Sequence, residues 1–148
     1  MNYEKLDAIV LSYREELLDR LKKWIAIPSV NAPRSADNAP FGMEVRRMLD
    51  LFLQDAREMG FEVKDFDGYC GHAEMGSGDK TMGILAHLDV VPLGDGWVHD
   101  PLGGEIEDGR IYGRGVSDDK GPPLGALFAR LAKSAPSAGP LSSLTPRP

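Results

Sequence analysis

The sequence predicts an α/β domain, and three observations carry the prediction. Two stretches between Leu6 and Met59 place apolar side chains at helical spacing, residues 61–75 alternate like half-buried strands, and Thr81–Val91 is a nearly continuous apolar run. The expected architecture is two helices packed on a mixed sheet whose central strand is Thr81–Val91, buried on both faces.

From Leu6, the apolar positions Ile9, Val10, Tyr13, Leu17, Leu18, Leu21 and Trp24 or Ile25 repeat with the helical period, and Pro28 closes the run. This reads as one long amphipathic helix. The stretch from Pro28 to Pro40, rich in proline, serine, alanine and asparagine, reads as a loop. A second helix carries the stripe Val45, Met48, Leu49, Phe52, Leu53, Ala56 and Met59, with Gly60 where a left-handed C-terminal residue belongs.

Phe61 opens the strand candidates "FEVKDF" and "YCGHAEMG", and a turn at "SGD" leads into the apolar run. Glycines then break the chain into two short strand candidates, "GEIEDG" and "RIYGRG". A third helix begins at Pro122 or Pro123, its stripe being Leu124, Leu127, Phe128 and Leu131. Residues 132–148 read as a separate, disordered tail to the 1–131 domain, since "KSAPSAGPLSSLTPRP" is rich in proline and serine.

A net charge of -6 gives no electrostatic reason to expect nucleic acid or an anionic membrane as partner, while leaving acidic sites for cations open. The amino terminus is charged throughout and shows neither a secretory layout nor a membrane span, so the chain reads as cytoplasmic. Cys70 is the single cysteine, which excludes an intrachain disulfide.

Two segments could carry chemistry. His87 and Asp89 stand at i and i+2 where the apolar run ends, so on a strand they share a face. One reading is a metal-bound imidazole oriented by a carboxylate; the other is a hydrogen-bonded histidine at a strand end, with Asp89 capping the next turn. The second segment, "YGRGVSDDKG" at 112–121, is too rich in glycine for a helix. Its adjacent aspartates read as ligands or as a solvated turn, and its spacing fits neither a P-loop nor a dinucleotide fingerprint. Arg114 and Lys120 read as braces of this acidic loop. His99 reads as a loop histidine, His72 as a strand surface residue and Cys70 as a small, partly buried apolar residue.

Together the two segments resemble the M20 family of metallopeptidases, most closely its dipeptidase branch. The likeness spans about residues 3–131 and includes "IPSV" after the first helix, "APFG" before the second, "HLDVVP", the "GDGW" loop and "GEIEDGRIYGRGVSDDKGP". It implies zinc-dependent hydrolysis of dipeptides, or, within the same chemistry, of small acylated amino acids as in a desuccinylase. It implies His87 as a Zn²⁺ ligand, Asp89 as the aspartate that orients it, and Asp118 as the carboxylate bridging two Zn²⁺ ions, followed by a cis Asp118–Asp119 bond. Imidazole and carboxylate ligands suit Zn²⁺. The family's Glu-Glu pair, which holds its general base, has no counterpart before Pro148, so the expectation is an amino-terminal part of the catalytic domain that is inactive alone, or a non-catalytic remnant.

Overall fold

The structure, a computed structural model, describes residues 3–134. The elements run α1 (Tyr3–Ser12), α2 (Arg14–Ile25), α3 (Met43–Glu58), β1 (Glu62–Phe66), β2 (Cys70–Glu74), β3 (Glu105–Glu107), β4 (Arg110–Tyr112) and α4 (Gly121–Ser134). The α/β class is as expected from the helical and alternating patterns. The arrangement of strands differs from the expectation.

The first predicted helix is divided at Tyr13. Ser12 Oγ donates to the Ile9 carbonyl at 2.6 Å, a side-chain bond that competes with the backbone ladder at the join. Helical bonding resumes at once, the Leu17 amide donating to the Tyr13 carbonyl. Glu15 and Glu16 lie in the first turn of α2 and Lys22 and Lys23 in its last, as the helix dipole favours.

Helix α3 ends as its sequence predicts. Gly60 takes φ +86°, its amide donates to the Arg57 carbonyl, and the Phe61 amide donates back to Ala56. These two bonds form a Schellman cap, which turns the chain from α3 directly into β1.

β1 and β2 form an antiparallel ribbon, with Val63 opposite Ala73 and Phe66 opposite Cys70. Asp67 and Gly68 close it, both with positive φ, and the Tyr69 amide donates to the Phe66 carbonyl. β3 and β4 repeat the device with Asp108 and Gly109. An Asp-Gly pair suits such hairpin turns because both residues tolerate the left-handed region.

The core lies among α2, α3 and α4. Trp24, Ile25, Met48, Ala56 and Leu124 are fully buried and pack with Leu21, Leu127, Phe128 and Phe61. Trp24 meets Phe52 of α3 edge-on, and Tyr13 meets Phe128 of α4. The third predicted helix is therefore present, and Ala132, assigned above to the tail, is a buried residue of α4. Lys133 and Ser134 also belong to α4, and residues 135–148 of that tail lie outside the described residues.

The expected central strand does not form. No strand covers Thr81–Val91; its one backbone pairing of strand type is a parallel bridge between Val90 and Val30. Met82 is 80% exposed and Leu85 100%. An apolar run becomes a buried strand only when neighbouring strands and a covering layer accept it, and among the described residues none lies beside it. Among the described residues, two antiparallel ribbons stand in place of one mixed sheet.

Candidate metal centre

His87 and Asp118, 31 positions apart, meet with His87 Nε2 2.9 Å from Asp118 Oδ1. The other ring nitrogen, Nδ1, stands 3.2 Å from Asp89 Oδ1 and 3.1 Å from the Asp89 carbonyl. A third link joins the same segments, the His87 amide donating to Asp119 Oδ2 at 3.1 Å. The three residues singled out from sequence are thus brought together, and the Asp119 carboxylate ties to the His87 backbone beside them. The Asp118–Asp119 peptide bond is cis.

The imidazole and the Asp118 carboxylate face solvent, with side chains 51% and 85% exposed. Burial would lower the imidazole pKa, but the Asp118 hydrogen bond, the Asp89 carbonyl and the charges of Asp89 and Asp119 together raise it above the ordinary histidine value. A negative cluster that draws a proton onto an imidazole is equally suited to draw a cation.

The residues fit a zinc ion. Nitrogen and oxygen ligands each sit about 2.0–2.1 Å from Zn²⁺, so two of them at angles between about 90° and 110° stand roughly 2.9–3.4 Å apart. The observed 2.9 Å falls in that range. With Nδ1 protonated toward Asp89, Nε2 keeps its lone pair for the ion. Among the described residues no group of three or more His, Cys, Asp or Glu side chains is gathered tightly enough to close a metal site.

The supports of the two arms lie in the segment that follows α2. Ser29, fully buried, donates from Oγ to the Leu88 carbonyl at 2.7 Å, and its own carbonyl accepts the Val90 amide at 2.9 Å. Lys120, also fully buried, donates from Nζ to the carbonyls of Trp24 at 2.8 Å and Ile27 at 2.5 Å. Burial pushes its ammonium down to about 8. Lys120 thus ties the acidic loop to the end of α2.

Arg114 ties the same loop to the preceding one. It donates to the Leu93 carbonyl, and its guanidinium lies over the Trp97 ring. His99 stacks on Tyr112 with Nδ1 2.8 Å from Glu105 Oε2, as a paired loop histidine. Cys70 is exposed, not partly buried.

Sequence reasoning missed Ser29 and the inward path of Lys120. "IPSV" offers a serine among apolar neighbours, a weak signal for a buried hydroxyl. Nothing in "SDDKG" says that its lysine turns away from its aspartates.

The fold matches part of a peptidase structure. Residues 83–141 match the sequence profile described as Peptidase family M20/M25/M40, so the chain is similar to that family of peptidases. Its relatives point to one branch of that family. The chain is 42% identical over 130 residues to the Bacillus subtilis (strain 168) protein YtjP, covering 87% of this chain and 27% of that protein. It is 42% identical over 120 residues to a Beta-Ala-Xaa dipeptidase of Lactobacillus delbrueckii subsp. lactis, covering 80% and 26%. Among solved structures, human carnosine dipeptidase 1 superposes with a TM-score of 0.66 at 31% identity, covering 88% of this chain and 31% of that one. The chain spans about a quarter to a third of the length of these relatives. Among the described residues no helix is long and apolar enough to cross a membrane.

Proposed function

We propose that this chain carries the first metal-binding arm of a zinc-dependent dipeptidase, with His87 and Asp118 as ligands and Asp89 as the group that orients His87. The observation that carries the reading is the 2.9 Å approach of His87 Nε2 to Asp118 Oδ1. The dipeptidase relatives favour dipeptides as substrate.

In this reading Asp89 accepts the Nδ1 proton and fixes the tautomer, leaving Nε2 as the donor atom. Asp118, bound to His87 through one oxygen and largely exposed, has its other oxygen available to a second ion. Asp119 holds the two segments in register through the His87 amide. When bound, a pair of Zn²⁺ ions supplies an activated water and polarises the scissile carbonyl.

Among the described residues no third side chain joins His87 and Asp118 closely enough to close a site, whereas a catalytic zinc takes three protein ligands as a rule. The 148-residue chain by itself therefore binds Zn²⁺ at one weak site and does not hydrolyse dipeptides.

Calorimetric titration with Zn²⁺ tests this. The parent chain should bind one ion, and His87→Ala or Asp118→Asn should weaken binding by tenfold or more. Binding indifferent to both substitutions would sink the assignment, and zinc-dependent dipeptide hydrolysis by the isolated chain would sink the claim of inactivity.

A further inference from the structure

We propose that Ser29 and Lys120 are positioning residues that set the separation of His87 and Asp118 through one shared support, the Trp24–Val30 segment that ends α2 and leaves it. The inference rests on the metal-site reading above. It concerns how the site is held, not which atoms would touch the ion.

The two presumptive ligands do little to hold themselves in place. Both side chains are at least half exposed, and their contact is a single solvent-accessible approach, which is worth little against side-chain entropy. The fixed points are one to three residues away. On the His87 arm, Ser29 engages the backbone on either side of Asp89, through the Leu88 carbonyl and the Val90 amide, and Val30 bridges Val90. On the Asp118 arm, Lys120 reaches the Trp24 and Ile27 carbonyls.

All these acceptors and donors belong to a short stretch anchored by Trp24, Ile25 and Ile27, which are buried in the core. A buried polar group without its partner costs the full desolvation penalty, so each arm has a strong reason to stay seated. A ligand pair that must meet one ion within a few tenths of an ångström needs such a second layer of bonds. Since both arms hang from one segment, the distance between them is set there rather than by the chain that joins them through the β3–β4 ribbon.

The test uses the full chain and Co²⁺ alone as probe, reading both affinity and the visible d–d spectrum, which reports ligand geometry without any catalysis. The parent should give a spectrum that His87→Ala removes. Ser29→Ala and Lys120→Met should each weaken Co²⁺ binding about tenfold or more and alter the band, in line with the usual effect of outer-layer partners. Leu53→Ala, a buried change on α3, should lower stability in urea yet leave affinity within about twofold.

A parent without a His87-dependent spectrum overturns the site reading itself. A parent with one, whose affinity and band survive both substitutions, overturns the positioning role alone. So does a Leu53→Ala chain that loses as much affinity as Ser29→Ala, since that would make the effect one of general stability. If Lys120→Met does not fold, Ser29→Ala decides the matter by the same readings.

Discussion

The indole N–H of Trp24 donates to Asp55 Oδ2 at 2.6 Å, and both side chains are buried between α2 and α3. Arg20 pairs with the other oxygen of Asp55 and with Glu58. Trp24 is thus fixed from its ring by α3 while its carbonyl receives Lys120. The helix pair and the cation arm share a residue.

Replacing Asp55 with Ala should therefore be costly. It would leave the Trp24 N–H without its acceptor and Arg20 without its most buried partner, a change that destabilises by about 3 kcal/mol, within the range for breaking a buried pair by removing one partner. Urea unfolding followed by tryptophan fluorescence reads the loss. A change under about 1 kcal/mol would show that the network contributes little.

Acid should weaken the first hairpin in a way traceable to Asp65. Burial alone would raise its pKa, but the Gly68 amide and the Arg46 guanidinium bond its carboxylate and hold it below the ordinary carboxylate range. A carboxyl whose pKa is lowered by folding contributes stability that is complete above its unfolded value and is lost as pH falls through the folded one. Stability measured from pH 6 downward should fall less steeply in Asp65→Asn than in the parent, the two curves converging at the acid end. Parallel curves would contradict the assignment.

Asp89 acts through His87, and its removal should show in the metal, not in the fold. Asp89→Asn keeps the size of the side chain but removes the charge that faces Nδ1, so Zn²⁺ affinity should drop by about tenfold to a hundredfold. Stability in urea should hardly change, because Asp89 is partly exposed. Unchanged affinity would leave the Asp89 carbonyl as the sufficient partner of Nδ1.

Local signals in the chain were read well where local physics decides the outcome. The stripe from Val45 to Met59 with Gly60 after it yields α3 and its cap, and the apolar spacing after Pro123 yields α4. His87, Asp89 and Asp118 converge as the combined motifs imply, although neither motif alone distinguishes a ligand from a satisfied polar residue. The errors and omissions fall where a residue's state depends on distant neighbours. Thr81–Val91 has a strand's composition but lacks pairing neighbours among the described residues, and Lys120 goes to carbonyls in residues 24 and 27 that no local pattern connects to it. The break at Tyr13 is a smaller case, decided by one serine hydroxyl.

The unpaired apolar run also governs how the chain behaves in company. Met82, Ile84 and Leu85 are exposed to solvent, the kind of apolar surface that captures other chains and seeds clumping. Asp79 and Lys80 precede the exposed apolar stretch 82–85 and His87 with Asp89 follow it, a gatekeeping pattern that interrupts such growth. Exchanging both the imidazole and the carboxylate for apolar residues should therefore lower the chain's solubility.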